Sequence, residues 1–113
     1  MNQVQFQRQA IAAYFDCFRT KDLERLRQLL TPDFRHVSPF GEWTDRERML
    51  ATIWPSVTGD VYATDLQIYG DGPEYLVRYR HAGKSSARIV EYFRFEGDQI
   101  AEIEVYPGRD AAS

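Results

Sequence analysis

Apolar residues recur at helical spacing through the first half of the chain. One stripe lies on a predicted helix that ends near Thr20 and consists of Val4, Ile11, Tyr14, Phe15 and Phe18. A second helix is predicted from its capping residue Asp22 to Leu30, where Thr31-Pro32 ends it. A third begins at Thr44, because Thr44-Asp45-Arg46-Glu47 matches a capping box, and Pro55 closes it.

Aromatic and β-branched residues dominate the second half, in segments separated by short glycine-containing turns. The predicted strands are Tyr62–Tyr69, Tyr75–His81, Ala87–Phe95 and Ile100–Tyr106. A short strand, Phe34–Phe40, lies between the second and third helices, and Pro107–Ser113 is expected to be a frayed tail. The order ααβαββββ predicts an α+β fold, in which the helices cover one face of a curved, mainly antiparallel sheet.

Composition limits the classes of protein that fit this pattern. The 113 residues, 43% of them hydrophobic, suit one globular domain over residues 1–113. A formal net charge of −3 argues against a nucleic-acid partner, because neutralising phosphates requires clustered positive charge. The single cysteine excludes an internal disulfide, and no apolar run is long enough to span a bilayer. We therefore expect a cytoplasmic protein with no membrane partner and no signal peptide.

Glu91 is the clearest candidate for chemistry, because alternation places it on the more apolar face of its strand. That face also carries Ala87, Ile89, Phe93 and Phe95. A buried carboxylate without a partner is costly and its pKa rises, and groups of this kind are frequent in functional sites. The alternative is an ion pair with an arginine of the neighbouring strand, such as Arg78, in which case Glu91 only stabilises the sheet.

Two further candidate groups come from other elements. Tyr14 lies on the apolar stripe of the first helix, where its hydroxyl needs a partner and so points into a cavity or toward a polar group; otherwise it is a core residue. His36 and Ser38 share a face of the short strand with Phe34 and Phe40. This mixed surface suits a pocket wall, and the alternative for His36 is a hydrogen-bonded histidine at the sheet margin.

Several common chemistries find no support in the sequence. The two histidines lack metal-ligand spacing and one cysteine cannot supply a zinc ribbon, so no metal is predicted. A glycine-rich phosphate loop and a G-x-S-x-G motif are also absent. The run Arg78–His81 is too short for a nucleic-acid stripe, and alternation does not settle which face of its strand looks inward. Trp54, at the end of the third helix, is expected either in the core or lining a cavity.

The element order and a set of short motifs resemble the NTF2-like superfamily, and within it the SnoaL-like and ketosteroid-isomerase-like proteins. The resemblance covers nearly the whole chain and rests on Tyr14, Asp22-Leu23, Ser38-Pro39-Phe40-Gly41, Glu91–Phe95 and Ile103–Tyr106. It implies a cone-shaped barrel around one apolar pocket, and a homodimer formed through the outer sheet face. The candidate residues for contacts with an apolar small molecule are Phe40, Trp54, Phe93, Ile103 and Val105, with Arg78 to hold an anionic group.

The resemblance also implies roles for individual residues. In the isomerases, a tyrosine on the first helix and an acid late in the sheet form an oxyanion hole, and Tyr14 and Glu91 match these positions. The isomerase general base is an aspartate directly before the matched proline, where this chain has Ser38. A serine without an adjacent base is a poor proton acceptor. His36, two residues earlier on the same face, is the candidate substitute base.

Two functions remain open at this point. The first is a cofactor-independent isomerase, cyclase or dehydratase acting on a hydrophobic carbonyl compound, with Ser38 orienting substrate or water. The second is a non-catalytic ligand-binding or dimerisation module, which the missing aspartate favours. The fold cannot name the reaction. A hydrogen bond between Glu91 and Tyr14 across an open cavity would favour the enzyme, whereas Glu91 clamped by Arg78 with no void beside it would favour the second.

Overall fold

A computed structural model, which describes residues 2–110, contains three helices and a six-stranded sheet. The helices are α1 (Gln3–Thr20), α2 (Leu23–Leu29) and α3 (Arg46–Ile53), and a 3-10 turn over Trp54–Ser56 follows α3. The strands are β1 (Leu30–Ser38), β2 (Gly41–Trp43), β3 (Val61–Tyr69), β4 (Glu74–Gly83), β5 (Ala87–Glu96) and β6 (Gln99–Asp110). The predicted α+β class, with helices on a mainly antiparallel sheet, is confirmed.

The sheet has the strand order β2-β1-β6-β5-β4-β3, and only the β1–β6 pair among the described strands is parallel. Bulges interrupt its ladders. Asp65, with a φ of 57°, is the extra residue where β3 pairs β4, and Ala101 is skipped where β5 pairs β6. Because a bulge bends its strand and increases the local twist, these positions curve the sheet around the helices.

Each helix begins at a side-chain cap. Asn2 and Gln5 form a reciprocal capping box on α1. Asp22 accepts from the Arg25 N–H at 3.2 Å on α2, as predicted. On α3 the cap is Asp45 rather than the predicted Thr44. Asp45 has the extended backbone of a capping residue, and its side chain accepts a hydrogen bond from the Arg48 N–H at 2.9 Å.

The structure differs from the sequence prediction at three element boundaries and contains one strand that was not predicted. Leu30 begins β1 instead of ending α2, and β1 runs through Pro32. Proline is tolerated there because the β1–β6 register shifts between Leu30 and Arg35, so its missing N–H removes no ladder bond. Strand β2 was not predicted, because three residues carry too little alternation to be recognised. Strand β6 passes Tyr106 and includes part of the predicted tail, whose residues 111–113 lie outside the described residues.

The core lies between α1 and the inner face of the sheet. Its fully buried side chains include Ile11, Leu26, Phe34, Tyr75, Val77, Phe93 and Ile103. Each such apolar side chain contributes roughly 1.5–3 kcal/mol relative to an exposed position. Tyr75, Val77 and Tyr79 face inward on β4, whereas Arg78 and Arg80 face outward, which settles the orientation that alternation left open. No helix within residues 2–110 is long and apolar enough to cross a membrane.

Candidate functional site

The helices and the inner face of the sheet line a cavity of about 630 Å³. Its wall is mostly aromatic and aliphatic, with contributions from α1, α3 and strands β1, β3, β4, β5 and β6. The polar residues that line it include Tyr14, His36, Ser38, Tyr79, His81 and Glu91, together with Thr52, Ser56 and Tyr62. A volume of this size and a largely apolar wall with a few polar groups are typical of small-molecule sites.

The partner of Glu91 is a tyrosine of the neighbouring strand. In the antiparallel register Val77 lies opposite Glu91, so Tyr79 is its diagonal neighbour on the inner face. The Tyr79 hydroxyl donates a hydrogen bond to Oε2 of Glu91, and these side chains are 7% and 4% exposed. Arg78 lies on the opposite face and donates to Gln67 instead. The alternative of an Arg78–Glu91 ion pair is therefore wrong.

Burial controls the protonation of this pair. It raises the pKa of Glu91 to about 7, and the Tyr79 hydrogen bond, which favours the carboxylate, offsets only part of that effect. Burial, reinforced by the nearby Glu91 charge, also raises the pKa values of Tyr79 and Tyr14. Near neutral pH the cavity thus holds one carboxyl group that can gain or lose a proton and two phenols that remain hydrogen-bond donors.

Tyr14 reaches the cavity from α1 with its ring fixed by aromatic neighbours. Its ring centroid lies 5.1 Å from that of Phe18 and 5.4 Å from that of Phe93, both in edge-to-face geometry. The residue is 4% exposed, yet within residues 2–110 its hydroxyl makes no hydrogen bond, so no Tyr14–Glu91 hydrogen bond crosses the cavity. Because buried tyrosine hydroxyls are ordinarily paired, this free donor on a cavity wall suits an acceptor atom of a bound molecule.

His36 lines the cavity but is poorly suited to the base role expected of it. Its Nδ1 atom is buried with no hydrogen-bond partner among the described residues, and burial lowers the pKa of the ring to about 4. A general base works best when its pKa lies near the operating pH, so the pKa of Glu91 fits that role better. Ser38 accepts a hydrogen bond from the Phe40 N–H at 3.2 Å, so its hydroxyl also stabilises the β1–β2 turn.

The remaining predicted contact residues divide between the cavity and other places. Phe40, which is 92% exposed at the β1–β2 turn, and Val105 both line the cavity. Phe93 and Ile103 are fully buried in the core and do not line it. Trp54 packs on Phe18 at a centroid distance of 6.0 Å and is also not part of the wall.

Arg78 is the predicted site residue that the structure places furthest from its expected role. It is exposed on the outer face of β4, because the inward positions are taken by Val77 and Tyr79 on either side of it. It therefore cannot hold an anionic group of a molecule in the cavity. Among residues 2–110, no cluster of three or more His, Cys, Asp or Glu side chains is placed to hold a metal ion.

Tyr79 and His81 are two of the polar cavity residues that the sequence did not single out. Both belong to the inner face of β4, and His81 lies 3.1 Å from the Ser85 hydroxyl through its Nδ1 atom. Alternation alone already placed the two residues on one face. The missing signal was the orientation of that face, because the opposite face carries Leu76 as well as Arg78 and Arg80 and is not clearly more polar.

Solved structures share this architecture over most of their length. An NTF2-like protein from Anabaena variabilis superposes with a TM-score of 0.81 at 18% identity, covering 96% of this chain and 90% of that one. A candidate polyketide cyclase from Sinorhizobium meliloti gives 0.76 at 21% identity, covering 87% and 94%. A candidate ketosteroid isomerase from Kribbella flavida gives 0.77 at 20% identity, covering 96% and 82%. The chain thus has the NTF2-like fold.

The sequence also matches a family profile directly. Residues 11–103 match the SnoaL-like domain, a span that contains Tyr14, His36, Ser38 and Glu91. The chain belongs to this SnoaL-like family, and the predicted resemblance is confirmed. No curated protein matches the chain in sequence.

Proposed function

We propose that the chain is a cofactor-independent enzyme that binds a hydrophobic carbonyl compound in the cavity and transfers a proton on it. The observation that carries this proposal is Glu91, a buried carboxyl group on an apolar cavity wall whose pKa is raised to about 7. A pKa near the operating pH lets one residue both accept and return a proton. The free hydroxyl of Tyr14 on the same wall supplies the donor that a developing oxyanion needs.

The proposed step begins with ionised Glu91. Its carboxylate removes a proton from the carbon next to the substrate carbonyl, and the C–H electron pair moves into the carbonyl group, which becomes an enolate. Tyr14 donates a hydrogen bond to the enolate oxygen, a contribution of about 2.7–4 kcal/mol for a well-placed donor. Glu91 then returns the proton to the same or another atom, while Tyr79 keeps the carboxylate in position.

This assignment changes the division of labour expected from the sequence. Glu91 carries the proton and Tyr14 stabilises the oxyanion, whereas His36 is a neutral wall residue and Ser38 supports the turn. The non-catalytic alternative keeps one specific argument, namely that the weakly basic His36 and Ser38 leave the second acid–base position without a competent group. A test must therefore separate binding from proton transfer.

Two probes make that separation. The phenol 2-naphthol mimics an enol, so its affinity reports binding, and 2-tetralone carries exchangeable protons beside a carbonyl, so hydrogen–deuterium exchange followed by NMR in D₂O reports proton transfer. We expect Tyr14→Phe to weaken 2-naphthol binding roughly 10-fold, as expected for the loss of one hydrogen bond to the phenol oxygen. We expect Glu91→Gln to slow exchange at least about 100-fold.

The controls identify the base. His36→Gln should leave exchange within about threefold of the wild type, and Glu74→Gln, an exposed carboxylate that also accepts a tyrosine hydroxyl bond, should change nothing. Exchange that survives Glu91→Gln but is lost in His36→Gln would refute the assignment of the proton carrier. Binding of 2-naphthol without any acceleration of exchange would support the ligand-binding alternative instead.

A further inference from the structure

A second concave region lies on the outer face of the sheet, behind the cavity wall. It is a groove of about 470 Å³ between residues of β3, β4 and β5, including Asp65, Gln67, Arg78, Arg80 and Arg88. The bulge at Asp65 interrupts the β3–β4 ladder at this position. The groove is therefore a local feature of the outer face of the sheet, and Tyr79 is the residue that it shares with the lining of the cavity.

Three arginines converge on this groove. Arg80 and Arg88 are directly opposite each other in the antiparallel β4–β5 register, and Arg78 lies two residues from Arg80 on the same face. Like charges placed directly opposite across two strands destabilise a sheet. Burial of apolar surface gives no reason for this arrangement either, because Arg78, Arg80 and Arg88 are all exposed.

The protein compensates these charges only in part. Arg80 pairs with Asp65 at 3.1 Å, whereas Arg78 donates to the neutral amide oxygen of Gln67. That oxygen also accepts a hydrogen bond from Tyr69 at 2.9 Å. Within residues 2–110, Arg88 makes no hydrogen bond or ion pair through its side chain.

Other arginines of the same face are neutralised by carboxylates. Arg35 pairs with Glu42 at 2.9 Å, and Arg94 pairs with Glu102 at 3.1 Å. The chain as a whole is acidic, with a formal net charge of −3, so the positive charge of the groove is opposite in sign to that of the whole chain. Three guanidinium groups against a single carboxylate leave an excess positive charge that an external anion can occupy.

We propose that this groove binds the phosphate group of a small soluble phosphate monoester. A phosphate group carries a charge of about −1.5 to −2 at neutral pH and three acceptor oxygens, which suits two uncompensated guanidinium groups with a third beside them. Arginine is also the side chain whose planar donors match phosphate in two-point contacts. A concave patch with three arginines fits a compact ligand better than an extended polyanion. The proposal does not depend on the function of the cavity.

Thermal unfolding with glycerol 3-phosphate as the probe tests this proposal. For a site with a Kd of about 1 mM, about 10 mM probe should raise the melting temperature of the wild type by about 6 °C over sodium chloride of equal ionic strength. Inorganic phosphate should give a shift of the same sign. Arg78→Gln and Arg88→Gln should each lose most of the shift. In chloride, Arg88→Gln should melt at or slightly above the wild type, because it removes the like-charge pair with Arg80. Arg48→Gln, an exposed arginine on α3, is the matched control and should keep it.

Three outcomes would overturn the proposal. The first is an equal effect of phosphate and chloride on the wild type. The second is a phosphate shift that persists in Arg88→Gln or disappears in Arg48→Gln. The third comes from sedimentation velocity, which also tests the predicted homodimer. If phosphate has no effect and Arg88→Gln converts a dimer to a monomer, the groove is a contact between two copies of the chain.

Discussion

Glu91→Gln is expected to make the protein more stable at alkaline pH, although it removes the proposed proton carrier. In the unfolded chain the carboxyl group has its ordinary pKa of 4.5, and in the folded protein burial raises that pKa to about 7. Between these two pH values the unfolded state has already released a proton that the folded state still binds. The free energy of unfolding therefore falls as the pH rises, and the loss is complete above pH 7.

The magnitude follows from the two pKa values. A change from 4.5 to about 7 at a group only 4% exposed corresponds to about 3 kcal/mol, since each pKa unit is worth about 1.36 kcal/mol. Glutamine has nearly the same shape and its oxygen can still accept the Tyr79 hydrogen bond, but it does not ionise. Between pH 4.5 and pH 8, the stability of the variant relative to the wild type should increase by about 3 kcal/mol.

Urea denaturation at intervals between pH 4.5 and pH 8.5, followed by the fluorescence of the two tryptophans, measures this difference. Glu74→Gln is the matched control, because Glu74 accepts a hydrogen bond from the Tyr92 hydroxyl at 2.7 Å on the exposed face of the sheet. Its pH profile should follow that of the wild type. Parallel profiles for Glu91→Gln and the wild type would show that Glu91 is not desolvated as described, and would remove the basis of the proposed mechanism.

Two further changes test the surroundings of the site and the packing of the barrel. Tyr79→Phe removes the hydrogen bond that favours the ionised form, so the pKa of Glu91 should rise above about 7; a carboxyl ¹³C titration that gives an unchanged or lower midpoint would contradict this. Gly72→Ala places a Cβ 2.6 Å from the Oε1 atom of buried Gln7 at a φ of +84°. Gly72→Ala should therefore lower the free energy of unfolding more than Gly97→Ala does. A Cβ at Gly97, where φ is +60°, has nothing within 4 Å, so backbone strain of about 1–2 kcal/mol is the only cost in that variant. Equal losses in urea denaturation would mean that Gln7 moves aside.

Local patterns in the sequence were sufficient for most of the fold. Residues close together in the chain form the apolar stripe of α1 and the turns between β3, β4, β5 and β6. The spacing of those residues is therefore enough to identify these features. The inward orientation of Glu91 belongs to the same group, because four apolar residues of its own strand mark the inner face. Family motifs added Tyr14, which a helical stripe alone would have left as one more core aromatic.

The partners of those residues depended on contacts between distant segments. Alternation could not orient β4, since Leu76 lies on the outer face and polar groups occur on both, and only its pairing with β5 placed Tyr79 beside Glu91 and turned Arg78 outward. The same holds for the pKa of His36, which is lowered by burial. The sequence by itself therefore determined which side chains face the core, because that follows from the period of each element. The tertiary structure decided which of them meet and how far water is excluded, because strand register and packing join residues that are far apart in the chain.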